Sequence, residues 1–537
     1  MKHIRNITLI FLVLITVLFT ASCKEDDGSG HIFKINIENN PKNLDAQMAT
    51  DSESIMIITN MMEGLMKKQA SGAIVPAAAE SFEMSEDGLT YTFYLKQNQQ
   101  WDTLADFTDE VTADDFVFAF ERLFDKETNS PHSKDYLCIK NSAAILNGAA
   151  NINELGVKAL DEYTIEFTLE YPYYDFLNLL TQSSAMPCNR EFFEFTKGKY
   201  GMSAEATASN GAFYLKEWNY DPYWDNNYII MRRNKSYSEK NYVYPYSLNF
   251  FITGDKSIDE TSFSENDIDC YVAEKFNDKT FDNSNYTTYQ TKTVGLLFNT
   301  QAEHLNNYEI REALAKSINR EAYAHELSEN LSTAYGIIPG GITLQGKYYR
   351  DLSPDKLLSV YDFNSTALWQ TALNKTGKVS VDNLKITVSD SFSESELIYN
   401  ISDQWRENLL LSCGVEVVSE KEYETKMSEN SYSIALVELN SEKNSVISFF
   451  DLFSSGSYSD NYRNTRLIAD ISKAQKSTSL SEAVENYSNI EKLILNQYVF
   501  IPLFYKNEYF VSNNASDDIT YYPFVSIADY KNAKYFD

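Results

Sequence analysis

The most constraining feature of this sequence is its first 22 residues. Their pattern indicates that they do not belong to the folded protein. Lys2 and Arg5 precede an apolar run over residues 7–19, and small residues follow at positions 20–22. A basic start, a short apolar stretch and small residues before a cleavage point are typical of a secretory signal peptide. The run is shorter than the roughly 20 residues that a membrane-spanning helix needs. We therefore expect residues 1–22 to be removed and the remainder to fold outside the cytoplasm.

Cys23 follows the small residues directly, and this junction resembles a bacterial lipoprotein signal. The resemblance implies that Cys23 becomes the lipid-modified first residue of the mature protein, with residues 23–30 as a polar, lipidated tether. We therefore expect a monomer that is lipid-anchored at the extracytoplasmic face of the cell membrane. An ordinary signal peptide with an incidental cysteine is the alternative.

The rest of the chain is long and strongly acidic. With 537 residues it exceeds what a single simple core holds, so two or three lobes are expected. The formal net charge is −31, and the loss of Lys2 and Arg5 makes the mature chain more negative still. This charge argues against nucleic acid or an anionic membrane surface as a binding partner.

No catalytic or metal-binding motif is present in the sequence. It contains no HExxH pair, no Gly-x-Ser-x-Gly turn and no phosphate-binding Gly-rich loop. The cysteines beyond Cys23 lack CxxC spacing, and one or two disulfides of open pairing remain possible among Cys138, Cys188, Cys270 and Cys413. We therefore expect a protein that is not an enzyme and that needs no cofactor and no metal.

Strand and helix patterns alternate along the chain. Apolar alternation or short apolar runs predict strands at residues 32–37, 90–95, 157–169 (a strand pair), 228–231, 246–252, 384–388, 415–417 and 434–437. Helical apolar spacing predicts helices at residues 52–66, 112–122, 310–318, 394–411 and 481–495. Strands interleaved with helices predict an α/β architecture. No long low-complexity linker separates them, so the connections between lobes are expected to be short.

Several short segments occur in an order and spacing that resembles one protein family. They include Asn43-Leu44-Asp45, Glu63-Gly64-Leu65, residues 87–93 (DGLTYTF), 111–117 (VTADDFV), 209–218 (SNGAFYLKEW), 310–314 (IREAL) and 501–505 (IPLFY). Together these segments resemble extracellular solute-binding proteins of family 5, the oligopeptide- and dipeptide-binding lipoproteins of peptide ABC transporters. Each segment is a weak signal alone, but the series covers nearly the whole mature chain.

The resemblance implies a two-lobe, periplasmic-binding-protein-like fold of type II, with a hinge and an extra small domain in the first lobe. The first lobe is expected to combine residues 31–70, 190–290 and 506–537. The small domain is expected at 71–189, and the second lobe at 291–505. A ligand would be held between the lobes, which close on it by hinge bending.

The resemblance also implies the function of a substrate-binding lipoprotein. Such a protein captures peptides, here expected to be oligopeptides, and delivers them to the permease subunits of an ABC importer. One alternative keeps the fold and changes the ligand to an oligosaccharide, a metal chelate or a signalling peptide. The other alternative is a surface hydrolase or adhesin, which would need a nucleophile or metal site that the sequence does not offer.

The predicted ligand contacts centre on Glu442. In peptide-binding relatives, a Trp-x-Ala-Asp-Tyr-type segment contacts the ligand, and its Asp pairs with the peptide's α-ammonium group. An ungapped comparison places Leu439 at the Trp position, Ser441 at the Ala position and Glu442 at the Asp position. Glu442 keeps the carboxylate on a side chain one methylene longer, so we predict that it holds the α-ammonium group. A surface acid in an acidic chain is the alternative.

Four further positions are predicted to lie at the ligand. Leu436 replaces an arginine of the oligopeptide-binding relatives and Leu297 replaces a glutamate, which predicts a less charged, more apolar pocket. Tyr136 matches a small-domain tyrosine that faces the ligand in relatives, and Tyr505 matches an aromatic residue near the second-lobe hinge. A place in the core is the alternative for both tyrosines.

Overall fold

The structure is a computed structural model, and it describes residues 30–102, 107, 109–223, 226–324, 327–353, 365–392, 396–441, 443–462 and 464–536. The predicted signal peptide, Cys23 and Glu442 lie outside the described residues. Across these ranges, no helix is both long enough and apolar enough to cross a membrane.

A four-stranded sheet forms the centre of the first lobe. Its strands follow the order Ile32–Ile37, Ser247–Ile252, Asn227–Arg233 and Phe213–Asn219. The first pair is parallel and the other pairs are antiparallel. In the first strand, alternate residues Phe33, Ile35 and Ile37 are buried, as a half-exposed strand requires.

The helix beside this sheet is shorter than the sequence predicts. It spans Ser52–Met61, and the Asp51 carboxylate accepts a hydrogen bond from the Ser54 amide at its start. The predicted extension to residue 66 is wrong because the amide of Glu63 donates instead to Asn210 Oδ1, at 3.0 Å. The chain then enters the hairpin of Met66–Lys68 and Ile74–Pro76, which strand pairing holds in an extended conformation.

The small domain is built on a separate antiparallel sheet. Its strands follow the order Ala79–Met84, Thr90–Leu95, Thr164–Thr168 and Val157–Asp161. The helix Ala113–Phe124 begins with a capping box in which the Asp115 side chain accepts from the Thr112 amide at 2.8 Å. Phe116 and Phe120 of this helix belong to the buried apolar core that the small domain shares with the first lobe.

The second lobe contains a seven-stranded mixed sheet. Its strands follow the order Cys270–Ala273, Phe500–Asn513, Ser284–Phe298, Ile434–Leu439, Lys385–Ser389 and Gly414–Val418, with Leu331–Thr333 pairing to Phe500–Asn513. The main helices around it are Tyr308–Lys316, Ser365–Thr376, Glu396–Leu409, Glu420–Ser428, Val446–Ser454, Thr465–Gln475 and Leu480–Leu495. Parallel and antiparallel pairs with surrounding helices confirm the α/β architecture.

Shorter elements complete the chain. The short helices include Ser142–Leu146, Phe176–Leu179, Arg190–Phe195, Asp259–Ser264, Asp278–Phe281, Arg320–Tyr323, Tyr349–Leu352 and Ser459–Tyr462. The short strands are Thr343–Leu344 with Lys347–Tyr348, Ser516–Asp517 with Lys534–Tyr535, and Thr520–Tyr522 with Ile527–Asp529. Apart from the helix predicted at residues 52–66, the predicted helices and strands are confirmed to within two residues at each described end. Residues 394 and 395 of the helix predicted at 394–411 lie outside the described residues.

Two long antiparallel strands, Ser284–Phe298 and Phe500–Asn513, run from the first lobe into the second. We call them the crossing strands. Their pairing is interrupted by a bulge between Gln290 and Lys292, and a bulge locally disrupts a ladder and bends the strand. The predicted lobe boundaries at 290/291 and 505/506 fall within these strands and stay predictions.

The second lobe buries apolar side chains on both faces of its sheet. Leu296 and Leu297 are neighbours in one crossing strand, yet they belong to two different apolar clusters. Successive strand residues point to opposite faces, so both faces must be covered by helices.

The described cysteines form no disulfide. Cys138, Cys188, Cys270 and Cys413 are all free and buried. Burial raises the pKa of each thiol to about 12.

One crossing strand carries a buried acid, Glu508, and this makes stability depend on pH. Glu508 is 9% exposed and accepts a hydrogen bond from the Tyr521 hydroxyl at 3.0 Å. Burial raises the pKa of Glu508 to about 7. A raised carboxyl pKa gives stability that is full below the unfolded-state pKa and is lost as the pH rises through about 7.

We therefore expect Glu508→Gln to raise the free energy of unfolding at pH 8 by about 1–3 kcal/mol. The gain should shrink toward zero at pH 5, where Glu508 is already protonated in the folded state. Urea denaturation at both pH values measures the difference. Glu80→Gln, at an exposed acid of the small-domain strand Ala79–Met84, is the control and should leave the pH dependence as in the wild type. A gain of equal size at pH 5 and pH 8 would contradict this assignment.

Candidate ligand-binding cleft

A cleft of about 830 Å³ lies between the two lobes. The first lobe contributes residues of 50–68, the small domain contributes residues of 131–135 and 173–186, and the C-terminal segment contributes residues of 522–531. The second lobe closes it with residues of 443–451 and with Gln475. Volumes of a few hundred to about 1,000 Å³ are typical of small-molecule sites.

The cleft lining carries charges of both signs in nearly equal number. Its basic side chains are Lys67, Lys68, Lys134, Lys443 and Lys531, and its acidic side chains are Asp51, Glu63, Asp135, Asp175, Asp451 and Asp529. This balance contrasts with a chain whose net charge is −31. A lining of mixed sign complements a ligand that carries both charges, because each ligand charge can meet its opposite.

Part of the charged lining is already paired within the protein. Lys531 is 7% exposed, and its ammonium group contacts Glu239 at 2.7 Å, Glu63 at 3.4 Å and the Tyr237 hydroxyl. Lys96 also pairs with Glu239, at 2.6 Å. Burial opposes ionisation of Glu239, but hydrogen bonds from Lys531 and Lys96 lower its pKa to about 2. This network stabilises the floor of the cleft and leaves Lys531 little free donor capacity.

The small domain and the second lobe meet at the mouth of the cleft. The Lys443 ammonium group lies 2.5 Å from Asp135 Oδ1, and the Gln345 side chain donates to the Tyr174 carbonyl. The Lys476 ammonium group lies 4.9 Å from the centre of the Tyr171 ring. These contacts join the small domain to the second lobe without involving residues of the crossing strands, so separating the lobes must break them.

The hairpins of the two lobes also approach closely beside the cleft. Gly346 of the second lobe has a φ of +75°, and a Cβ there would lie 2.6 Å from the Ala73 Cα. A side chain at position 346 would therefore push the two hairpins apart. The hairpin strand Met66–Lys68 is also fixed from the C-terminal side, because the Tyr522 hydroxyl donates to the Lys68 carbonyl at 2.8 Å.

The structure places three predicted contact residues inside the second lobe. Leu297 and Leu439 are 0% exposed and belong to one apolar cluster. Leu436 is 5% exposed and belongs to the cluster on the other face of the sheet. None of the three lines the cleft, and their predicted ligand contacts stay predictions.

The two predicted tyrosines also lie behind the cleft lining. Tyr136 is 0% exposed, and its hydroxyl contacts Ser184 Oγ at 2.8 Å and the Leu179 carbonyl at 3.3 Å. Ser184 and Leu179 do line the cleft, so Tyr136 supports its wall. Tyr505 is 7% exposed and accepts from the Gly336 amide at 3.2 Å, and burial raises its pKa to about 12. Ligand contact by either tyrosine stays a prediction.

The remaining predicted contact, Glu442, is outside the described residues. Its neighbours Lys443, Asn444 and Ser445 line the cleft, which brings this segment of the chain to the ligand space. Sequence reasoning did not find the polar lining at Lys68, Asp175 and Asn178. The available signal was the pair Lys67-Lys68 directly after Glu63-Gly64-Leu65-Met66, since adjacent cations are unusual in so acidic a chain.

Comparisons with known proteins agree with this geometry. The model for the middle region of bacterial extracellular solute-binding proteins, family 5, matches residues 73–461. The dipeptide-binding protein DppE of Bacillus subtilis is 23% identical over 502 residues, which cover 92% of this chain and 90% of DppE. The periplasmic murein peptide-binding protein MppA of Escherichia coli is 26% identical over 531 residues, which cover 94% of both chains.

A solved structure extends the comparison to the fold. The substrate-binding domain of an oligopeptide ABC transporter from Bacillus anthracis superposes with a TM-score of 0.66 and 25% sequence identity. The superposition covers 94% of this chain and 99% of that one.

Proposed function

The chain belongs to the bacterial extracellular solute-binding proteins of family 5, and we propose that it captures peptides in its interlobe cleft and delivers them to an ABC importer. The family and its relatives are binding proteins rather than enzymes. No bond is made or broken in the proposed cycle, which consists of capture, lobe closure, docking to the permease and release.

The balanced charge of the cleft is the observation that carries the proposal. A free peptide has an ammonium group at one end and a carboxylate at the other, and it needs both signs of charge around it. The relatives DppE and MppA are named as dipeptide- and murein peptide-binding proteins, which supports a peptide for this chain as well.

We further propose that lipid on Cys23 holds the protein at the extracytoplasmic face of the membrane, as a monomer. The support is the sequence pattern of a basic start, an apolar run and small residues before Cys23. A tethered binding protein stays near the permease, and this raises its effective concentration there.

Native mass spectrometry of the protein, purified without refolding, tests the proposed ligand class. A protein that closes around its ligand releases it slowly, so we expect a ladder of bound peptide masses. A single discrete non-peptide mass would contradict the proposal. If the protein is empty, thermal unfolding with a mixed peptide library decides, because bound ligand stabilises the folded state. No stabilisation by any peptide in that library would also contradict it.

Glu442 is proposed to hold the peptide's α-ammonium group. A charge-assisted hydrogen bond contributes about 1.5–3 kcal/mol, so Glu442→Gln should weaken binding of a free peptide about ten- to a hundredfold. Binding of the N-acetylated peptide should change far less, because that ligand lacks the ammonium group. Titration calorimetry measures both, and Glu424→Gln, at an exposed acid of the same lobe, is the matched control. Equal affinity of wild type and Glu442→Gln for the free peptide would exclude this role.

A further inference from the structure

The cleft contains a second polar cluster, formed by Lys68, Asp175 and Asn178, whose hydrogen-bonding groups are only partly used. All three line the cleft. Lys68 belongs to the first-lobe hairpin, and Asp175 and Asn178 belong to the turn and short helix around Phe176–Leu179.

Two acceptor atoms in this cluster have no partner among the described residues. Asp175 is 7% exposed and Asn178 is 6% exposed. The Asn178 side-chain amide donates to Asp175 Oδ2 at 3.0 Å, but Asp175 Oδ1 and Asn178 Oδ1 accept nothing. Buried acceptors without a donor destabilise a structure, so a role in stabilising the fold does not explain this cluster.

Lys68 adds a donor that is also incompletely paired. In the described part of the chain, no carboxylate oxygen lies within 4.0 Å of its ammonium group, so Lys68 forms no ion pair. Asp175 is nevertheless near enough for its charge to raise the pKa of Lys68. Burial lowers the pKa of Lys68 to about 8 and raises that of Asp175 to about 6. The two opposite charges therefore share one region of the cleft without contacting each other.

We propose that Lys68, Asp175 and Asn178 form a subsite for a ligand side chain that carries both N–H donors and an acceptor oxygen, as a carboxamide does. This inference rests on the proposed peptide-binding function. The amide N–H groups would donate to Asp175 Oδ1 and Asn178 Oδ1, and the amide oxygen would accept from Lys68.

Charge selects the carboxamide over ionised side chains. Lys68 and Asp175 together carry no net charge, so a neutral group keeps the buried site neutral. A ligand cation or carboxylate would give the site a net charge. An apolar group would leave the Lys68 ammonium group, Asp175 Oδ1 and Asn178 Oδ1 without partners. Since an uncompensated buried charge is strongly unfavourable, the neutral polar group is the best match.

The surrounding contacts connect this subsite to lobe closure. Residues 171–174 directly precede Asp175, and they meet the second lobe at Gln345 and Lys476. Asp175 and Asn178 are already nearly excluded from water, and a ligand amide held there between the closed lobes would satisfy the acceptors that are otherwise left unpaired. Closure with a matching side chain is therefore more favourable than closure without one.

Position-scanned pentapeptides test the subsite. Each peptide is alanine except for one residue, which is Gln, Met, Lys or Glu, and binding to the purified protein is measured by calorimetry after bound ligand has been removed. At one position we expect Gln to bind at least about tenfold more tightly than Met, Lys or Glu. Met has the length of Gln without the donors and the acceptor, so it isolates the polar contribution.

Variants assign the preference to these residues. Lys68→Met and Asp175→Leu should each reduce the Gln-over-Met preference to less than about threefold. Lys134→Met, at an exposed lysine of the same cleft, is the control and should keep the preference. Thermal unfolding of each variant checks folding, and if Asp175→Leu does not fold, Lys68→Met decides alone.

Each other outcome overturns the subsite. Preferred binding of Lys peptides that Asp175→Leu abolishes would make this a cation site. Equal affinity for all four residues at every position, as expected if water alone fills the cluster, would exclude the subsite and leave peptide capture intact. If no peptide binds at all, the proposed function fails and the subsite fails with it.

Discussion

Glu491→Leu is expected to lower the free energy of unfolding by about 3–5 kcal/mol, because it leaves a buried cation without its counter-ion. Glu491 lies on the helix Leu480–Leu495 and is 0% exposed. Its Oε1 accepts from the amides of Ile337 at 2.6 Å and Ile338 at 3.1 Å. The same carboxylate binds the Arg350 guanidinium at 2.6 and 3.1 Å. One side chain thus satisfies two backbone donors and one charge.

One further variant separates the contribution of the Glu491 charge from that of its hydrogen bonds, and a second variant is a control. Glu491→Gln keeps an acceptor for the two amides, so its loss should be smaller than that of Glu491→Leu. Glu485→Gln, at an exposed acid of the same helix, should stay within about 0.5 kcal/mol of the wild type. Chemical denaturation followed by circular dichroism measures all three. A loss below about 1 kcal/mol for Glu491→Leu would show that Arg350 finds another partner.

Arg122→Met is expected to destabilise the protein by a similar amount, about 3–5 kcal/mol, through the first lobe's contact with the small domain. Arg122 is 4% exposed, and its guanidinium forms two parallel contacts with the Asp45 carboxylate, at 3.0 and 2.5 Å. It also donates to Gln47 Oε1 at 2.7 Å and lies 4.1 Å from the centre of the Phe193 ring. Removing it leaves the Asp45 carboxylate buried and uncompensated.

The same helix region provides a control for Arg122. Arg190 pairs with Glu121 at 2.6 Å, but its side chain is 51% exposed, so Arg190→Met should change stability by no more than about 1 kcal/mol. Combining Arg122→Met with Asp45→Asn should recover part of the loss, because the second change removes the unpaired acid. Simple addition of the two losses would mean that Arg122 and Asp45 act independently and would contradict the ion-pair explanation.

The fold was predictable because its signals are local. Apolar periodicity and capping residues such as Thr112 lie within a few positions of the helix or strand that they specify. The end of the helix Ser52–Met61 escaped prediction because Asn210, far along the chain, binds the Glu63 amide that would otherwise continue it. Local patterns cannot include such long-range competition.

The site was less predictable because it, too, depends on residues that are far apart in the sequence. Lys68 and Asp175 are separated by more than a hundred residues, and only the folded chain brings them into one cleft. The predicted positions Leu297 and Leu439 came from a family pattern, and the structure places both in the second-lobe core. Sequence similarity locates the segment near a ligand more readily than it determines which side chains of that segment reach the ligand.

The reactivity of the four buried thiols can report which region of the protein opens. Only a thiolate reacts with alkylating reagents, so a cysteine in the folded state is doubly protected, by burial and by its high pKa. Cys138 lies in the apolar core that the small domain shares with the first lobe, Cys188 lies 3.5 Å from Arg122, and Cys413 lies in the second lobe. Timed alkylation followed by peptide mapping can therefore distinguish separation of the small domain from local unfolding of the second lobe, without an engineered label.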